Sequence, residues 1–129
     1  MSYVNLNRDT FMVDDGNDSK VIIRDLADVP GGRALDVSGW TPEVIRAGHI
    51  IKHNVDTDEY APLGITGSEN DTYASLEANE EYAGVLKVSI LKAKPFAAIM
   101  TMGEVNAAAS PYAVTSTIKA GLPQIKFLY

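Results

Sequence analysis

The chain has 129 residues, 46% of them apolar, and a formal net charge of −6, which is enough for one domain that buries its own core without staples. It has no cysteine, which excludes a disulfide framework, a thiolate zinc site and a cysteine nucleophile. Capture of a nucleic-acid backbone needs clustered Lys and Arg, and a chain with 17 acidic against 11 basic residues is not expected to do it.

Met1–Thr10 has no basic-then-apolar leader pattern, and no apolar run approaches the roughly 18 residues that span a bilayer. A soluble protein that is not exported by a cleaved peptide and does not bind membranes is expected. Met1–Lys20 is polar, with scattered apolar residues and an Asp-Asp-Gly-Asn-Asp run over Asp14–Asp18, and reads as an extended arm. That run lacks the alternating oxygen spacing and distant glutamate of a calcium loop, so a solvated turn is expected. Val21–Ile23 is a β-branched run suited to a strand, and Pro30-Gly31-Gly32 turns the chain. Gly31-Gly32-Arg33 lacks the ending of a phosphate loop. The segment up to Trp40 is expected to lie along the surface, giving an arm and surface segment over residues 1–40 and a compact body over 41–129.

In the body, His49-Ile50-Ile51 and Tyr60-Ala61-Pro62-Leu63 flank a polar turn at Asn54–Asp58 and predict a hairpin, with Pro62 placing its strand on an edge. His49 and His53, with Asp56, Asp58 and Glu59 behind them, would suit zinc on a helix. On a strand the two lie about 13 Å apart, at roughly 3.3 Å per residue, so surface histidines are expected. Gly64–Asn79 has loop composition and predicts an exposed, mobile segment.

Tyr82–Leu91 alternates, placing Leu86, Val88 and Ile90 on one face and Lys87 and Ser89 on the other. Lys92–Pro95 turns the chain, and Phe96–Met102 predicts a return strand. Ser110-Pro111 predicts a helix start with Ser as N-cap, and Val114, Ile118 and Leu122 share one face. Gly121 and Pro123 stop the helix, leaving Gln124–Tyr129 for a last strand. Ser110 has neither a Gly-x-Ser-x-Gly setting nor a nearby base. Since no set of catalytic groups converges in the sequence, a non-enzymatic protein without metal or cofactor is expected.

The order Ala47-Gly48-His49-Ile50-Ile51, Tyr60-Ala61-Pro62, Ala83-Gly84-Val85-Leu86, Ile99 to Gly103-Glu104-Val105-Asn106, then a helix and Lys126-Phe127-Leu128, resembles the lambda-type phage head decoration proteins. The resemblance covers roughly the last two thirds of the chain; the Gly64–Asn79 loop is longer than the family pattern, Pro123 interrupts its end, and the first forty residues do not align. It implies an α+β domain with small mixed sheets and one or two short helices. It further implies a virion structural protein, made in the host cytoplasm, that binds the major capsid protein on the outer surface of the expanded head as a homotrimer at threefold positions. An adaptor or head-fibre anchoring module is the alternative. Aromatic side chains outside a core dominate interfaces, so Tyr3 and Phe11 on the arm are expected capsid contacts. Trp40 suits either a core or an interface. Met1–Ile23 is expected to be flexible in the free protein and to order on the shell, adding Val21, Ile22 and Ile23 to a sheet edge of the partner.

Overall fold

A computed structural model describes residues 18–129 apart from residues 68 and 70. Chain order is α1 (Asp18–Val21), β1 (Ile22–Asp28), β2 (Arg33–Ala34), β3 (Val44–Ile45), β4 (Ile50–Asn54), β5 (Glu59–Pro62), β6 (Ile65–Thr66), β7 (Thr72–Tyr73), β8 (Glu80–Leu86), β9 (Ile90–Leu91), β10 (Phe96–Ala97), β11 (Ile99–Asn106), α2 (Ser116–Gly121) and β12 (Ile125–Leu128). The main sheet runs β1-β11-β8-β4-β5, with β12 parallel to β11, and β2/β10, β3/β9 and β6/β7 form two-stranded ribbons.

Paired apolar residues on the central strands serve both faces of this sheet, because successive side chains point to opposite sides. Ile50, Val85 and Met100 stand in cross-strand register and belong to one buried cluster. Their chain neighbours Ile51, Leu86 and Ile99 belong to a second cluster. The first is completed by Val21, Tyr73, Ile118, Leu122 and Ile125, the second by Leu35, Trp40 and Ile45. Each fully buried Ile, Leu or Val is worth about 1.5–3 kcal/mol in transfer free energy, so the two clusters hold the ribbons and α2 onto the sheet.

The hairpin of β4 and β5 forms as the sequence predicts, and Pro62 lies on an edge strand. Several expectations are corrected. The expected strand Tyr82–Leu91 ends at Leu86, because Ser89 turns inward to accept a hydrogen bond from the Ala47 N–H (2.9 Å), which leaves Val88 exposed. The return strand is divided: Phe96–Ala97 pairs with β2, and β11 begins at Ile99. Within the expected loop, β6 and β7 pair and Tyr73 anchors them in the first cluster.

The helix starts at Ser116, not Pro111, with Thr115 as N-cap accepting from the Ile118 N–H (3.3 Å). Ser110 instead closes a 3-10 turn at Ala107–Ala109 in an extended conformation, as residues before proline prefer. Tertiary packing favours this path: the Tyr112 ring lies edge-on to His49, 5.6 Å between centroids. Val21 ends the α1 turn rather than lying in a strand, and its side chain is wholly buried. The segment expected on the surface is built into the body, with β1 in the main sheet and Leu35 and Trp40 in the second cluster.

Candidate functional site

Strand β1 is bound along one side only, by β11, and among the described residues nothing pairs with its outer edge. Its register explains its surface. Ile22 and Arg24 face the consecutive residues Val105 and Glu104, and Asp25 and Ala27 face Gly103 and Met102. Ile23 and Leu26 are therefore the extra residues of two β-bulges, which bend a strand and re-aim its side chains. They are 44% and 60% exposed. Gly103 permits the close approach between bulges, since a Cβ there would collide with the Arg24 carbonyl oxygen.

The same edge carries a fixed charge cluster. Lys87 Nζ pairs with Asp25 and lies 2.9 Å from Asp28 Oδ2, tying β1 to the loop after β8. Partial desolvation and the hydrogen bond that its protonated form donates to Asp25 raise the Asp28 carboxyl. Asp25 meets the same desolvation, but hydrogen bonds that it accepts from Asp28 and Lys87 bring it below the usual carboxylate range. The edge thus presents two apolar side chains beside a held Lys-Asp-Asp set.

The residues expected to touch a partner separate into three groups. Ile23 is on this edge, and Ile22 is partly buried against the first cluster. Val21 and Trp40 are spent on the chain's own core, at 0% and 6% exposure. Tyr3 and Phe11 lie outside the described residues. Leu26 stands three residues after Ile23, a spacing that strict alternation would turn to the opposite face, and its place at a second bulge is not legible in the sequence.

The histidines depart from expectation in different ways. His49 is fully buried, not on the surface. Its Nε2–H donates to the Leu63 carbonyl (2.8 Å), and its ring meets Trp40, Tyr73 and Tyr112 edge-on at centroid distances of 4.8, 5.1 and 5.6 Å. Burial pushes its pKa down to about 4, against a smaller upward pull from the Leu63 carbonyl. A cavity of about 320 Å³ lies beside it, lined by Trp40, Glu43, Arg46, His49 and Tyr112 among others. A second cleft, about 250 Å³, lies against Trp40 and holds the Lys52–Glu80 ion pair at 2.8 Å.

His53 faces carboxylates at both nitrogens, Glu81 at 3.0 Å and Asp58 at 2.7 Å. Those hydrogen bonds, Glu81 first and then Asp58, raise its pKa. Arg33 reaches the same Asp58 at 3.4 Å and lies 4.4 Å over the Tyr60 ring. Among the described residues no three His, Asp or Glu side chains converge as a metal site, and no helix is long and apolar enough to cross a membrane.

No protein-family model matches the chain, and neither characterised proteins nor solved structures give a match.

Proposed function

We propose that this protein is a phage capsid decoration protein, which binds the major capsid protein on the outside of the expanded head and reinforces the shell as trimers at threefold positions. The observation that carries the reading is the open edge of β1, with bulged Ile23 and Leu26 exposed on it. A strand edge offers main-chain hydrogen bonds to an extended partner segment, and apolar side chains at its bulges supply specificity. The edge follows the polar N-terminal residues directly in sequence, so arm and edge can engage one partner together and gain from linkage.

The order of segments that resembles the decoration proteins adds support. Ile50–Asn54, Glu59–Pro62, Glu80–Leu86, Ile99–Asn106 and Ile125–Leu128 are the five strands that join β1 in the main sheet. Mixing the purified protein with undecorated heads, before and after expansion, tests the proposal. Saturable binding to expanded heads, with density at every local threefold in a reconstruction, is the expected result. Binding confined to special vertices would replace it with the adaptor reading, and absence of binding to either form of the head would overturn it.

A further inference from the structure

Asp25 and Asp28 lie three residues apart on β1, a spacing that turns side chains to opposite faces of a regular strand. Both nevertheless hold one ammonium group: Lys87 Nζ pairs with Asp25 and lies 2.9 Å from Asp28 Oδ2. The pairing with β11 explains how. Arg24, Asp25 and Asp28 stand opposite Glu104, Gly103 and Met100, all in one register, and only Ala27, opposite Met102, leaves it. This departure makes Leu26 an extra residue on β1 and Thr101 an extra residue on β11. The two carboxylates therefore bracket a local excursion that opens and closes between them.

A regular ladder with the same two ends is open to these residues. It would set Leu26 opposite Met102 and Ala27 opposite Thr101, restoring the pairing that bulges forfeit. Leu26 and Met102 are 60% and 37% exposed in the bulged form; directly opposed, they would form an apolar cross-strand pair, which favours the regular form. The grip of Lys87 opposes it, since straightening β1 turns one of the two carboxylates away. Lys87 is well placed to hold. It follows β8, its N–H donates to the Ala98 carbonyl at 3.0 Å, and its side chain reaches past the start of β11 to β1. We propose that Lys87 is a register pin, a positioning residue that selects the bulged form of β1 and so keeps Leu26 out on the edge where a partner strand docks. The docking half rests on the capsid-binding reading of that edge, and the register half does not.

Backbone NOEs of the full chain report the register with no heads present. The parent protein should show Ala27 opposite Met102. Lys87→Met should replace this with Leu26 opposite Met102 and Ala27 opposite Thr101. Asp28→Ala, which leaves Lys87 in place, should do the same, and Lys87→Arg should keep the parent pattern. The Ile50–Val85 and Ile51–Gly84 pairings, away from the pin, check that each variant is folded. Because only the bulged form presents Leu26, affinity for expanded, undecorated heads should fall with its population, about tenfold if a tenth of the molecules keep it. Lys87→Arg should return it to the parent value. If Lys87→Met and Asp28→Ala fold and keep Ala27 opposite Met102, the pin is overturned whatever the heads do. If the register changes and heads bind as tightly as before, the pin stands and the docking reading of the edge fails.

Discussion

The Nε2–H of His49 donates to the carbonyl of Leu63 at 2.8 Å, in a setting that keeps the imidazole neutral. The folded pKa, about 4, lies below the ordinary 6.5. A group with a depressed folded pKa contributes stability that is present above its unfolded pKa and lost as pH falls through the folded one. The unfolding free energy from denaturant titrations should therefore fall as pH drops from 6.5 to 4, by up to about 3 kcal/mol from this residue at roughly 1.4 kcal/mol per pH unit. His49→Phe, if folded, should flatten that slope; an unchanged slope would show that carboxylates alone carry the acid sensitivity.

His53 has the opposite sign. Its folded pKa is raised by Glu81 and Asp58, so its contribution is complete below the unfolded value near 6.5 and is lost as pH rises through the folded pKa. The pairs are partly solvated, so the effect should stay below about 1 kcal/mol. An NMR titration of the His53 ring should give a midpoint above 6.5 in the native protein, and Glu81→Gln should lower it. A native midpoint at or below 6.5 would contradict the contacts.

Gly48 sits at φ +92, where an added Cβ would come 2.5 Å from Val21 Cγ1, whereas Gly31 at φ +75 has nothing within 4 Å. Gly48→Ala should cost about 2–4 kcal/mol, from backbone strain and overpacking together. Gly31→Ala should cost about 1 kcal/mol, from strain alone. Thermal or urea unfolding of the two variants measures the difference, and equal losses would show that the Val21 contact has no energetic weight.

A chain beginning at Ser19 keeps Val21 and all of β1, which belong to the body. It should unfold with cooperativity and midpoint close to those of the full chain, while its binding to expanded heads weakens strongly because Tyr3 and Phe11 are gone. Circular dichroism and co-sedimentation measure the two properties separately. Undiminished binding would make the N-terminal residues a passive tail.

The strands legible from sequence were those whose apolar spacing needed no outside help. Ile50-Ile51 and Tyr60-Ala61-Pro62 gave the hairpin and its edge, and Ile118 with Leu122 gave the apolar face that α2 and its C-cap residue bury. The misreadings share a cause: a tertiary partner outweighed the local signal. Ser89 turns inward to satisfy the Ala47 N–H, and Tyr73 draws a polar segment onto the core. Thr115 caps the helix while Ser110 closes the preceding turn. His49 is buried because Leu63 and three aromatic rings enclose it, none of them its sequence neighbours. The candidate site was half visible. Ile23 lies in an obvious β-branched run, but its bulge and that of Leu26 are set by register against β11 around Gly103, and no one-strand pattern contains them.

The most direct measurement is the affinity of an Ile23→Asp, Leu26→Asp double variant for expanded, undecorated heads. Both side chains are exposed in the isolated chain, so the variant should remain folded with a stability change within about 1 kcal/mol. Charge placed in the apolar part of a docking edge should weaken co-sedimentation at least about a hundredfold, or 2.7 kcal/mol. If the folded double variant decorates heads as tightly as the parent protein, the edge of β1 is not the capsid-binding surface.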